Sequence, residues 1–146
     1  SGGSSNGKSF GDKPKRKSSG GSSKKTIRSS DAKPKKRFYA AAINFCERAL
    51  NLSPKRPDIM NRLAWLYAKK SIKLELALEL INKSIKVSPN RADFIDTLSE
   101  VLFIQGKVIM AENAISKAIK LKPDNAYYKQ QLRRFKNSRL IDAIGN

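Results

Sequence analysis

Three carboxylates follow one another at helical spacing in the segment ADFIDTLSE. Asp93, Asp96 and Glu100 stand at positions i, i+3 and i+7, so a helix would present them as one acidic stripe. Two interpretations of this stripe are open. It is either a solvated helix face, on which Asp93 also favours the helix N-terminus, or an electrostatic trough that attracts a basic ligand.

Two basic clusters, KPKRK and KPKKR, lie in the Ser- and Gly-rich first quarter of the chain. Clusters of this kind attract polyanions, with an affinity that falls steeply as salt rises. Three interpretations are open: a charged linker, a contact with nucleic acid or an anionic surface, and occupation of the acidic stripe by the tail itself. The candidate polyanion-binding residues are Lys13, Lys15, Arg16, Lys17, Lys33, Lys35, Lys36 and Arg37.

The residue types on which most enzymatic chemistry depends are scarce. The chain has no histidine, which removes the commonest general base and the commonest metal ligand. Its one cysteine, Cys46, lies on a helical apolar face, where a buried inert thiol is the expectation. No Gly-rich phosphate loop follows a predicted strand. We therefore expect no enzymatic activity, no metal and no cofactor.

The single cysteine also bears on the compartment. It excludes an internal disulfide and favours a reducing compartment, cytoplasmic or nuclear. No apolar run approaches the roughly 18 residues that a membrane-spanning helix needs. We therefore expect no transmembrane segment.

Residues 1–37 are predicted to form a disordered tail or linker. Their only sizeable apolar side chains are Phe10 and Ile27, and they carry 12 Lys and Arg against 2 Asp. Low hydrophobicity with high net charge leaves too little burial to offset chain entropy. The folded part is therefore expected over residues 38–140.

Three short stretches recur in the folded part: ERALNLSP, NKSIKVSP and SKAIKLKP, ending at Pro54, Pro89 and Pro123. Their spacings are 35 and 34 residues. Small residues recur upstream at helical separations, and each proline stops the helix before it. Between these stretches, Leu63 and Leu98 mark a second helix of the same unit. The unit is therefore a pair of helices.

This pattern resembles the tetratricopeptide repeat (TPR), without its leading Trp. The resemblance implies an all-α, right-handed helix-turn-helix solenoid of about two and a half repeats. We expect a half repeat over 38–52, repeats over 57–91 and 92–125, and a capping helix over 126–138. Since the half repeat lacks its first helix, a partner or a missing repeat is expected to cover it.

In this family the first helices of successive repeats line a concave groove that receives an extended peptide or a helix. Trp65 lies off the core stripe, as an anchor for a partner or as a packing residue. The family's clamp for chaperone tails uses Lys and Asn, and acidic residues replace the lysines here, so we do not expect a chaperone-tail adaptor. The predicted groove residues are Asn61, Trp65, Lys69, Asp93, Asp96, Glu100, Phe103, Tyr127, Gln130 and Arg134.

Two functions follow as hypotheses. The first is a non-enzymatic scaffold, the module of a larger protein or complex, that binds a protein segment in this groove. That segment would be basic if the acidic stripe forms a trough. The alternative is binding of nucleic acid or an anionic surface through the basic tail and the convex face, for which a steep salt dependence is the signature.

Overall fold

The computed structural model describes residues 36–145, with side chains from residue 38 onward. Every regular element in this part of the chain is an α-helix. The six helices are α1 (Lys36–Leu52), α2 (Pro57–Lys70), α3 (Leu74–Val87), α4 (Ala92–Ile104), α5 (Val108–Leu121) and α6 (Ala126–Gly145). The basic tail lies outside the described residues, except that the backbone of Lys36 and Arg37 begins α1.

Each helix packs against the next, and α2 also packs against α4 across the repeat boundary. The pairs α2–α3 and α4–α5 are therefore the two full repeats. Close approach within each pair depends on small residues. Ala64 and Ala77 in one pair, and Ser99 and Ala111 in the other, are all completely buried. Small side chains at these buried positions let the two helices of each pair pack closely.

The boundaries between repeats lie where the prolines predict. Pro54, Pro89 and Pro123 all stand in the turns that follow α1, α3 and α5. A further contact, not visible in the sequence pattern, ties α3 to the first residue of α2. Ser84 Oγ donates a hydrogen bond to the Pro57 carbonyl at 2.9 Å.

The two turns within the repeats have one geometry built from different residues. After α4, Gly106 is left-handed (φ 87°), and Gly106 and Lys107 donate to the carbonyls of Phe103 and Leu102. These two bonds form a Schellman cap, as the Gly predicts. After α2, Ser71 takes the same conformation (φ 55°). Ser71 and Ile72 donate the equivalent pair of bonds to the carbonyls of Ala68 and Tyr67.

Counted from the left-handed cap residue, α3 begins one residue later than α5 does: two residues separate Ser71 from Leu74, and one separates Gly106 from Val108. Lys73 is also left-handed (φ 48°) and immediately precedes α3. This additional residue accounts for the spacing of 35 between Pro54 and Pro89.

The two ends of the solenoid differ. On α1, the side chains of Phe45 and Leu52 are 71% and 87% exposed. On α6, Arg133 is exposed at the position where Ala64 and Ser99 are buried in the full repeats. Since a cation is solvated at this position, α6 presents a polar surface there, as a capping helix does.

Helix α6 is longer than the sequence indicates. It continues to Gly145 instead of ending at residue 138. No proline or glycine interrupts the intervening residues, and Arg139 Nε donates to Glu112 Oε2 on α5 at 2.7 Å. None of the helices α1–α6 combines the length and the hydropathy that crossing a lipid bilayer requires.

Candidate functional site

The predicted groove residues come from α2, α4 and α6, the first helices of successive repeats. We call the surface that these three helices share the inner face. Ion pairs run across it from Lys69 on α2 to Glu100 on α4, and from Glu100 to Arg134 on α6. The helices therefore present their polar residues side by side.

Glu100 is the centre of a buried cluster on this face. Only 3% of the residue is exposed. Lys69 Nζ lies 3.4 Å from its Oε2, and Gln131 Nε2 donates to Oε1 at 3.2 Å. Arg134 Nη2 donates to the same Oε1. We call these four residues the Glu100 cluster.

The burial of Glu100 departs from both interpretations of the acidic stripe, because Glu100 lies neither on a solvated helix face nor in an open trough. Glu100 does not face a ligand, because three helices close around it and two cations neutralise it. A buried carboxylate needs such partners to offset the loss of hydration. The partners come from helices 31 to 34 residues distant in sequence, which the helical spacing of the stripe does not reveal.

Phe103 packs against α6. Its ring stacks on that of Phe135, with centroids 4.7 Å apart. The Arg134 guanidinium lies 4.6 Å from the centroid of Phe103, within the range of a cation–π contact. Phe103 therefore supports the Glu100 cluster and holds α6 against α4.

Asp93 is also paired. Arg91 donates to both of its carboxylate oxygens, at 2.9 and 2.7 Å, and this hydrogen bonding lowers the pKa of Asp93. Arg91 also contacts Asp58 Oδ1 at 3.3 Å, which links the beginning of α4 to the beginning of α2. Sequence reasoning did not include Arg91 and Asp58, because each lies at a helix start, where a charge is ordinarily solvated.

Between α2 and α4 an open cavity of about 290 Å³ remains, which we call the Asp96 pocket. Three buried side-chain oxygens lack a hydrogen-bond partner in the described part of the chain, and Asn61 Oδ1 and Asp96 Oδ1 are two of them. The lining residues are Asn61, Arg62, Trp65, Asp93, Asp96 and Thr97.

The surroundings of Asp96 disfavour its negative charge. Burial, and next the negative charge of Glu100, raise the pKa of Asp96 to about 6. Smaller effects that lower the pKa of Asp96 come from Gln131, Lys69 and Arg134. Asp96 is therefore largely ionised at neutral pH, although one of its oxygens is unpaired.

Trp65 forms one wall of the Asp96 pocket and is half-buried. Its ring meets Tyr39 of α1 edge to face, with centroids 6.1 Å apart. On another side, Lys69 Nζ lies 5.2 Å from the ring centroid. The indole is thus held in place by α1 and α2 while part of it stays open to a ligand.

The remaining predicted residues lie on α6. Tyr127 is close enough to Asp96 and Glu100 for their charges to act on its hydroxyl, and burial is the first cause that raises the pKa of Tyr127 to about 12. Gln130 is exposed and lines a different depression along α6, together with Arg133 and Arg134. Among the described residues, no group of His, Cys, Asp and Glu is arranged to hold a metal ion.

Known proteins of similar sequence and structure agree with this architecture. No protein-family model matches the chain. The mouse protein O-mannosyl-transferase TMTC1 is 26% identical over 101 residues, which make up 67% of this chain and 11% of that protein. The chain thus spans about a ninth of the length of this relative.

Two solved structures share the fold at low sequence identity. An O-GlcNAc transferase mutant from Thermobaculum terrenum matches with a TM-score of 0.62 at 23% identity, over 66% of this chain and 18% of that one. The first TPR domain of Spaghetti (RPAP3), bound to the HSP90 peptide SRMEEVD, matches with a TM-score of 0.61 at 18% identity. That match covers 70% of this chain and 80% of the RPAP3 chain. This chain therefore has the tetratricopeptide-repeat fold.

Proposed function

We propose that this chain is a non-enzymatic scaffold module that binds a segment of a partner protein on its inner face, as an extended peptide or a helix. One observation carries the proposal. The Asp96 pocket is an open cavity that combines a partly accessible indole with unpaired polar atoms. Aromatic anchors seated in such pockets supply much of the binding energy at protein interfaces.

The similar structures support this proposal. The RPAP3 domain binds the peptide SRMEEVD. The portion of the mouse transferase that matches this chain is 11% of its length, which fits a module within a larger protein. The alternative of nucleic-acid binding rests on the basic tail and the convex face, and the basic clusters of the tail lie outside the described residues except for the backbone of Lys36 and Arg37.

The ligand that this face favours differs from the RPAP3 peptide. SRMEEVD carries three carboxylate side chains and one arginine. Asp96 lines the Asp96 pocket and makes no ion pair with a described residue. An acidic peptide would therefore meet like charge here, so the inner face favours neutral or basic segments.

A selection of phage-displayed random 12-residue peptides on the full chain tests the proposal. We expect enriched peptides to change the fluorescence of Trp65, the one tryptophan in the chain. In isothermal titration calorimetry, which needs no tryptophan, the variant Trp65→Ala should bind them at least tenfold more weakly, and Lys117→Ala, an exposed position on α5, should bind them like the wild type. SRMEEVD serves as the acidic comparison peptide.

Circular dichroism of both variants shows whether the helical fold is retained. If Trp65→Ala loses helical structure, the test uses Asn61→Lys instead. This variant fills the pocket without removing the indole. Enriched peptides that bind all of these variants equally, or a selection without enrichment, would overturn the proposal.

A further inference from the structure

We propose that the Asp96 pocket receives the charged end of a lysine or arginine side chain from the bound segment. This inference rests on the proposed function, since it names the chemistry that the inner face recognises. It starts from the two unpaired oxygens, Asn61 Oδ1 and Asp96 Oδ1. Both accept hydrogen bonds and neither can donate one, so a ligand that satisfies them must bring N–H or O–H groups.

The charges around the pocket select a cation among such ligands. Asp93 is neutralised by Arg91, and Glu100 by Lys69 and Arg134. Asp96 lines the cavity and has no ion-pair partner among the described residues. A neutral donor would satisfy the hydrogen bonds of the carboxylate but leave its charge uncompensated in a partly desolvated site.

Arg62 lines the same cavity and is the chain's own alternative partner for Asp96. It is exposed, and its guanidinium makes no ion pair with Asp96. In this position it raises the positive potential at the mouth of the pocket. Its removal should therefore strengthen the binding of a cationic side chain.

The shape of the pocket suits a long, unbranched side chain. A cavity of about 290 Å³ is at the lower limit for small-molecule sites but accommodates one amino-acid side chain. Lys and Arg bury their aliphatic stems along apolar surfaces while the charged end reaches a polar group. Trp65 provides the apolar wall, and Asp96 and Asn61 provide the polar end.

The surroundings of Asp96 supply a further argument. Burial and the charge of Glu100 make the ionised carboxylate unfavourable in the absence of a ligand. A carboxylate whose surroundings disfavour its negative charge, at the edge of an open cavity, is typical of a binding residue whose partner comes from another molecule. A bound cation would compensate the negative charge of Asp96. Part of the binding free energy would therefore come from removal of this electrostatic penalty.

Parallel selections of the same 12-residue peptide library test this inference. The full chain and its Asp96→Asn variant, which has the same shape without the charge, are the two baits. Peptides selected on the wild type should share a Lys or Arg at one fixed position. The pool selected on Asp96→Asn should show no such preference.

A matched peptide pair then measures the effect. One enriched peptide is synthesised with Lys and with norleucine at the fixed position, and Trp65 emission reports binding. The wild type should bind the Lys peptide at least tenfold more tightly than the norleucine peptide. For Asp96→Asn this preference should be less than twofold. Arg62→Gln should bind the Lys peptide about two- to fivefold more tightly than the wild type does.

The outcomes separate the two proposals. Equal binding of the Lys and norleucine peptides by the wild type, or a tenfold preference that survives in Asp96→Asn, overturns this inference. In either case, peptides that still depend on Trp65 leave the scaffold function standing. Peptides that do not depend on Trp65 overturn the scaffold function as well.

Discussion

Two carboxylates one helical turn apart on α4 have opposite surroundings. In the Glu100 cluster, both carboxylate oxygens have partners supplied by α2 and α6. In the Asp96 pocket, one oxygen of Asp96 has none. The difference arises from where the neighbouring helices place their cations. Two carboxylates of one acidic stripe can therefore differ in role: one holds helices together, and the other has an oxygen left unpaired for a ligand.

The largest expected effect is on the Glu100 cluster. Glu100→Gln keeps the shape of the side chain and removes its charge, which leaves Lys69 and Arg134 without a counter-ion. We expect a loss of about 2–3 kcal/mol in the free energy of unfolding, because these cations are partly solvated and the full penalty of a broken buried pair does not apply. Urea unfolding followed by circular dichroism measures the loss.

The matched control is Glu79→Gln on α3, which removes an exposed pair with Lys83 (3.4 Å). Exposed pairs of this kind contribute about 0.3–0.5 kcal/mol. Equal losses in the two variants would mean that Glu100 does not hold the three helices together.

The second effect has the opposite sign. Asp96→Asn should raise the free energy of unfolding by about 1–2 kcal/mol at pH 7.5, because it removes a charge that burial disfavours. In the folded chain the pKa of Asp96 is raised to about 6, so the folded state holds a proton there that the unfolded state has released between about pH 4 and 6. Stability due to Asp96 therefore falls as pH rises through this interval.

The gain from Asp96→Asn should consequently shrink towards zero near pH 4, where the wild-type carboxyl is itself neutral in the folded state. Urea unfolding of both proteins at pH 4 and pH 7.5 gives the comparison. A variant that is less stable than the wild type at pH 7.5 would show that the carboxylate has favourable partners.

A third effect concerns ligand binding. Affinity for the Lys peptide should fall about tenfold from pH 7.5 to pH 5, since a carboxyl of pKa about 6 is then only about a tenth ionised. The norleucine peptide should change little. Other titratable or charged groups also face Asp96 or line its pocket. They are Arg62 and Lys69 from α2, Asp93 and Glu100 from α4, and Tyr127, Tyr128 and Arg134 from α6.

The smallest effect is expected at Asp93. Asp93→Asn removes an exposed ion pair with Arg91, so the free energy of unfolding should fall by about 0.5 kcal/mol. Preference for the Lys peptide over the norleucine peptide should persist. If this variant lost the preference as fully as Asp96→Asn, recognition of the cation would belong to the acidic stripe in general and not to Asp96.

Much of the fold could be predicted because the repeat depends on features that are local in the sequence. Small residues at helical spacing marked the crossings, and prolines marked the turns. Gly106 takes the left-handed conformation that glycine readily adopts. Ser71 adopts the same conformation without a glycine, so composition alone did not reveal that the two caps are equivalent.

The division of the acidic stripe was less predictable. Helical spacing correctly placed Asp96 and Glu100 on one face of α4, but it contains no information about what α6 brings to that face. Gln131 was omitted from the predicted groove because it lies beside the projected positions 130 and 134. Its contact with Glu100 depends on the rotation of α6 relative to α4, to which the buried Phe135 and Tyr128 contribute by packing in the core.

The additional residue at Lys73 bears on how such a chain tolerates changes in length. An α-helix turns by about 100° per residue, so one residue inserted within α4 would rotate every later side chain of that helix away from the inner face. The turn after α2 accommodates one additional residue with two left-handed residues, Ser71 and Lys73. Ala77 and Ala111 still occupy equivalent buried positions. Lineages that diverge by single-residue insertions should therefore accumulate them at these turns, where the phase of the ligand-facing helices is left unchanged.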